Sequence, residues 1–288
     1  MSDQVRGLLI TLLGVLFVVP DSLFVRLIGA DPLVIAFWRG GISGVLILFG
    51  LLALQGARPL REVLGTGWYG LVFLISTGSA GILFVLAVSL TSVANVVLII
   101  AAMPVFASIY SRVFLGEPIS RRMMLTMAVV AAGLAVIAWG SGSNARAHWS
   151  GDLVALGVTA LFPAGLTAAR KVRHVSMVPA VAAGYLAASV GLLLVIDPFA
   201  VPAGKWGLVA LHGLFITVSA VGLALGPRYI PSAEVGLLIL LESVLAPLLA
   251  WAVIGEHPGS LALAGGAIVV GALAVSNAVA LRRGRRRL

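Results

Sequence analysis

The sequence predicts an all-α integral membrane protein of ten transmembrane helices, arranged as two inverted five-helix repeats. Three observations carry that reading. Hydrophobic residues make up 61% of the 288 and charged ones only 10%, against about 25% in an ordinary soluble domain. Ten segments are long and apolar enough to span a bilayer. Short motifs recur at nearly constant offsets between the two halves.

A soluble core of this size cannot hide so much apolar side chain, and the mean hydropathy of +1.15 places the excess in lipid. A span needs about 20 mostly apolar residues to cross ~30 Å of hydrocarbon. The qualifying segments are 7–28, 32–54, 68–90, 93–115, 121–140, 152–171, 178–197, 205–227, 233–254 and 260–281. Backbone polar groups cannot go unpaired in lipid, so each segment is helical. The runs show no strand-like alternation. The first segment is too long for a signal-peptide core, contains Asp21 and is followed by no convincing cleavage site, so it reads as a retained span.

Ten spans return the chain to its starting side. Fifteen of the 19 Lys and Arg fall there: Arg6, Arg58, Arg61, Arg112, Arg121, Arg122, Arg170, Lys171, Arg173, Arg228 and the five arginines of the tail from Arg282 to Arg287. Arg26, Arg146 and Lys205 fall opposite, and Arg39 lies within a span. This bias puts both termini in the cytoplasm. It also accounts for the net charge of +9: the tail is a topogenic segment on anionic headgroups rather than a nucleic-acid arm.

The halves repeat. Gly116-Glu117-Pro118 ends the fourth span and Gly255-Glu256-His257 the ninth; Ala94-Asn95-Val96 matches Ala233-Glu234-Val235 at the same offset. Arg26 matches Arg170, and Trp38 matches Tyr185. The organisation is therefore residues 1–140 as the first repeat, 141–151 as a Gly/Ser-rich linker, and 152–288 as the second repeat with its basic tail. Five spans per repeat is an odd number, so the two insert with opposite orientation, an arrangement common in secondary transporters.

The two Gly-Glu turns, the glycine-rich fifth and tenth spans and Arg39 within Phe37-Trp38-Arg39 together resemble the drug/metabolite transporter superfamily in its EamA-type branch, over essentially the whole chain. Within that branch the chain looks most like the YddG-type aromatic amino-acid exporters, a resemblance that implies a bacterial inner membrane. The resemblance implies alternating access about a central cavity between the repeats, lined by spans 1, 3, 4, 6, 8 and 9, with a small amphipathic metabolite, aromatic or other neutral amino acids first, as the substrate. Export of drugs or nucleoside-type metabolites is the alternative. A channel and a membrane-embedded lipid enzyme are the remaining rivals.

Enzyme signatures are missing. No phosphate-binding or dinucleotide fingerprint is present. The four histidines are far apart, cysteine is absent, and no metal site or cofactor is expected. Partners are the substrate, membrane lipid and protons; monomer and homodimer both remain open.

Ionisable groups inside spans mark function by default. Asp21 and Arg39 lie nine residues either side of position 30, the turn between the first two spans, so they reach similar depth. They read as an ion pair, either structural or acting as a gate or a contact to a zwitterion, with Asp21 also a cavity candidate. Glu242, near the middle of the ninth span, has no Lys or Arg at matching depth and reads as a substrate-ammonium or proton site, or as a buried neutral acid. Asn95 and Glu234 read as helix caps or interfacial polar groups, with Asn95 also a cavity candidate, and His212 reads as a satisfied polar residue or a cavity group. Pro20 and Pro163 interrupt the first and sixth spans, and Pro104 and Pro247 more loosely the fourth and ninth. Phe17, Phe24 and Phe162 lie close by and either stack on an aromatic substrate or pack. Ser76, Thr77 and Ser79, with Thr217 and Ser219, either line the cavity or bond back to helix carbonyls. Gly40, Gly41 and Gly44 permit close helix packing, within the protein or across a dimer.

Overall fold

The computed structural model describes residues 3–116, 118–141, 148–172, 174–226, 229 and 232–285, and among these all regular structure is helical. In chain order the helices are α1 (Asp3–Val18), α2 (Asp21–Ile28), α3 (Pro32–Gln55), α4 (Arg58–Leu64), α5 (Trp68–Leu90), α6 (Val93–Ile100) and α7 (Met103–Leu115). They continue with α8 (Arg121–Ser141), α9 (Trp149–Lys171), α10 (Val178–Leu192), α11 (Trp206–Leu225), α12 (Ser232–Ile254) and α13 (Ser260–Arg285). Among the described residues seven stretches are long and apolar enough to cross a membrane, counting α1–α2 as one and α6–α7 as another. Three shorter apolar helices, Val178–Leu192, Leu238–Ile254 and Ser260–Ser276, accompany them.

The closest pairings each join one helix of the first half to one of the second: α5 with α9, α8 with α13, α3 with α10, and α1 with α11. Exchanging the halves maps the α1–α11 pair onto the α9–α5 pair and the other two onto themselves. Interlocked halves that each bury the other's faces produce this pattern. Small residues bring the backbones together, as expected where lipid supplies no hydrophobic drive between helices. A Cβ on Gly222 of α11 would sit 2.9 Å from Gly14 Cα of α1, and one on Gly265 of α13 would sit 2.5 Å from the Gly133 carbonyl oxygen of α8. Gly40 and Gly44 of α3 lie against Tyr185, Leu186 and Ala182 of α10, so this stripe packs inside the protein.

The prolines act differently from the sequence expectation. Pro20 does break the first span: α1 ends at Val18 and α2 starts at Asp21, because the residue before a proline is driven out of the helical region. Pro163 and Pro247 do not interrupt anything; each sits inside a continuous helix, and the Thr167 hydroxyl donates to the Pro163 carbonyl at 2.9 Å. The fourth span breaks instead at Ala101–Ala102, and Pro104 opens the helix that follows, where a missing N–H costs nothing.

Two boundaries also shift. The expected polar connection 55–67 contains α4, and the seventh segment leaves the helix after Leu192 to run as turns. Residues 142–147 of the expected linker, Glu117 and the last three residues lie outside the described residues, as do the side chains of Glu234 and of the tail arginines.

Candidate functional site

The break at Pro20 makes Asp21 the first residue of α2, where the helix N-terminus favours a negative charge. Arg39 lies about two turns into the next span, on the side of α3 facing it. The guanidinium grips the carboxylate side-on: Arg39 Nε donates to Asp21 Oδ1 at 3.0 Å and Nη2 to Oδ2 at 2.5 Å. Both side chains are buried, Asp21 at 1% exposure. A fork-on-carboxylate pair of this kind combines charge with fixed direction.

His212 of α11 completes the cluster. Its Nε2 lies 2.6 Å from Asp21 Oδ1, and since a carboxylate can only accept, the ring proton sits on Nε2. Arg39 lies over the Phe84 ring at 5.5 Å, and Tyr185 of α10 is an electrostatic neighbour of the same guanidinium. Phe24 stacks on the His212 ring at 5.2 Å; Phe215 meets both Phe24, at 5.3 Å, and Phe17, at 4.7 Å. One buried polar triad is thus walled by aromatic rings drawn from both halves of the chain.

Glu242 is an electrostatic neighbour of the same cluster. The sequence left it without a basic residue at its depth, whereas the fold puts it within electrostatic range of both Arg39 and Asp21. On α12 the buried residues Leu240, Ser243, Ala246 and Ala250 form one face, and Ser243 reaches the Val97 carbonyl of α6 at 3.3 Å. Glu242 lies on the flank of that face with half-buried Leu238 and Leu249, at the helical spacings that share a side.

Other expected site residues lie elsewhere. Asn95 is neither a cap nor central: Ser92 caps α6 by accepting from the Asn95 N–H, and the Asn95 amide donates to Asp152 Oδ1 at 3.0 Å. Ser76 packs against Gly165 in the α5–α9 seam, and the Ser219 carbonyl lies in the α1–α11 seam. Ser79 is half-buried, Phe162 packs at the edge of the main apolar core, and Pro163 is buried within α9. Thr217 bonds back to the Gly213 carbonyl at 2.7 Å. Tyr185, Phe84 and Phe215 were not singled out by sequence as cavity residues; Tyr185 was marked only by its match to Trp38 across the repeat. Among the described residues no cluster of three His, Asp or Glu is placed to hold a metal ion.

Interlocked halves around a buried charge cluster define a searchable pattern. The EamA-like transporter family matches residues 5–139 and again 149–278, one match in each half. The chain belongs to the EamA-like transporter family. In fold it is similar to a protein of known crystal structure at a TM-score of 0.68 and 21% identity, over 96% of this chain and 98% of that one. A search of curated protein sequences gives no match. The match to this family accounts for the all-helical, two-repeat, multi-pass architecture and for the lack of an enzyme signature.

Proposed function

We propose that this EamA-family protein is a ten-span secondary transporter of the bacterial inner membrane, with both termini cytoplasmic, that exports small amphipathic metabolites by alternating access between its two repeats. Aromatic and other neutral amino acids are the first substrates to test. The observation that carries the reading is the Asp21–Arg39–His212 cluster with Glu242 beside it. An arginine near a bilayer centre costs on the order of 2.5–3.5 kcal/mol on insertion scales, so its place in an otherwise apolar bundle points to a polar ligand or a moving charge. A zwitterion suits the arrangement: an ammonium meets Glu242, a carboxylate meets Arg39 or Tyr185, and a side chain meets Phe17 and Phe24. The three shorter apolar helices, added to the seven long spans, support ten crossings. The split of Lys and Arg supports the orientation.

Uptake into liposomes carrying the purified protein tests this, with labelled phenylalanine or tryptophan as tracer. Neutral amino acids, nucleosides and cationic drugs serve as competitors, with and without a pH gradient. Saturable uptake blocked by neutral amino acids is expected. Protein-dependent uptake competed only by drugs or nucleosides moves the substrate class, and flux that never saturates argues for a channel. Asp21→Asn is expected to abolish uptake by releasing both Arg39 and His212. Glu242→Gln is expected to remove whatever pH response the parent shows; an unchanged profile takes Glu242 out of proton handling.

A further inference from the structure

The end of the bundle away from the chain termini carries a second polar network, separate from the central cluster. Gly255, at φ 65°, turns the chain after α12 so that Glu256 folds back over the start of α6. There Glu256 Oε1 accepts the Val93 N–H at 2.6 Å, and Oε2 lies 3.1 Å from Arg26 Nε of α2. Arg26 Nη2 also donates to the Thr91 carbonyl at 2.8 Å. Thr91 donates its hydroxyl to Asp152 of α9 at 2.8 Å, and Asn95 bonds the same carboxylate oxygen.

The partners come from opposite halves. Arg26, Thr91, Val93 and Asn95 belong to the first repeat; Glu256 and Asp152 belong to the second. Glu256 is only 4% exposed and Arg26 24%. Separating the halves here removes a cation and a backbone N–H from a carboxylate that has little water around it, the situation in which breaking one partner of a pair costs most. Once the end is open, water reaches both groups and the cost falls. The network therefore acts on one conformation and not on the other, as a bistable element must.

We propose that Arg26 and Glu256, with the Thr91–Asp152–Asn95 bridge beside them, form a latch that holds this end of the transporter shut and releases when the halves part there. The proposal rests on the alternating-access reading above and adds the gate to it. Both latch residues come from elements the repeat duplicates, Arg26 matching Arg170 and Gly255-Glu256 matching Gly116-Glu117 in sequence.

The chain has no cysteine, so single thiols report without background. Ala94→Cys, beside the latch and 3% exposed in the parent, is labelled in liposomes with a membrane-impermeant maleimide applied from the far side. Adding Arg26→Gln or Glu256→Gln is expected to raise the labelling rate by about tenfold, the population shift that loss of one such pair brings. An unchanged rate in variants that keep the parent's melting behaviour overturns the latch. This measurement needs no substrate, so it stands even if the amino-acid assignment fails. Arg26→Cys/Glu256→Cys bridged by a bifunctional methanethiosulfonate supplies the second arm. Exchange across the membrane is expected to stop on bridging and return on reduction, and exchange at the unbridged rate overturns the proposal even where the glutamine variants fold poorly.

Discussion

Helices α6 and α7 are two pieces of one expected span, yet all eight residues of α6 are buried and none of the thirteen of α7 is. Composition contributes, since α7 carries Ser108, Ser111 and Arg112 where α6 is almost wholly aliphatic. So do their neighbours. α6 packs against α9, α12 and α13, whereas α7 rests on α9 and only lightly on α8. The first span shows a related contrast, with six of eight residues of α2 buried and the outward side of α1 carrying exposed Leu9, Leu13 and Leu16. In both broken spans, then, the short piece away from the termini is buried and the longer piece nearer them is more exposed, among the described residues. A break in the middle of a span lets one chain segment serve both halves under different rules.

The contrast can be broken most directly where the two halves join. Arg39→Ala leaves Asp21 buried without its guanidinium partner, and a loss of about 3–5 kcal/mol is expected. Unfolding in detergent micelles measures it, and a loss below about 1 kcal/mol means the pair is not the keystone of the break. Next comes a matched pair of truncations. Ile99→Ala in α6, 4% exposed, is expected to cost about 2–5 kcal/mol. Phe114→Ala in α7, 70% exposed, is expected to stay within about 0.5 kcal/mol, because an exposed side chain leaves no cavity behind. Equal costs on the same unfolding assay would erase the distinction between the halves. The smallest effect that still discriminates is Gly255→Ala, expected to cost about 1–2 kcal/mol through its left-handed backbone; a neutral result would show that the turn carrying Glu256 over α6 relaxes without strain.

Much of this was legible from sequence, and the limits have a physical cause. The family, the repeats and the all-helical fold follow from hydropathy and from motifs such as the two Gly-Glu turns. That Asp21 and Arg39 stand at one depth followed from counting about the turn at position 30, because depth along a span is a linear quantity. Facing is not. A helix that is apolar all round gives no periodic signal to fix its rotation, so the sequence leaves Ser76 and Ser219 open between cavity lining and helix packing, whereas the structure places each beside a helix seam. For the same reason nothing pointed His212 at Asp21, or Asn95 at Asp152. Proline position was a weak guide because the cost of a missing N–H depends on whether neighbouring groups, such as Thr167, hold the helix together.

The side-on pairing of Asp21 with Arg39 bears on how the chain enters the membrane at all. Each charge alone opposes partition of its own segment, but the two face each other across a single tight turn at Gly29–Asp31 and neutralise without any residue from later in the chain. The first two spans can therefore leave the insertion machinery together as a neutral helical hairpin, before His212 has been synthesised. The ion pair then serves membrane entry as well as the folded state, and is available some 170 residues ahead of the His212 that joins it.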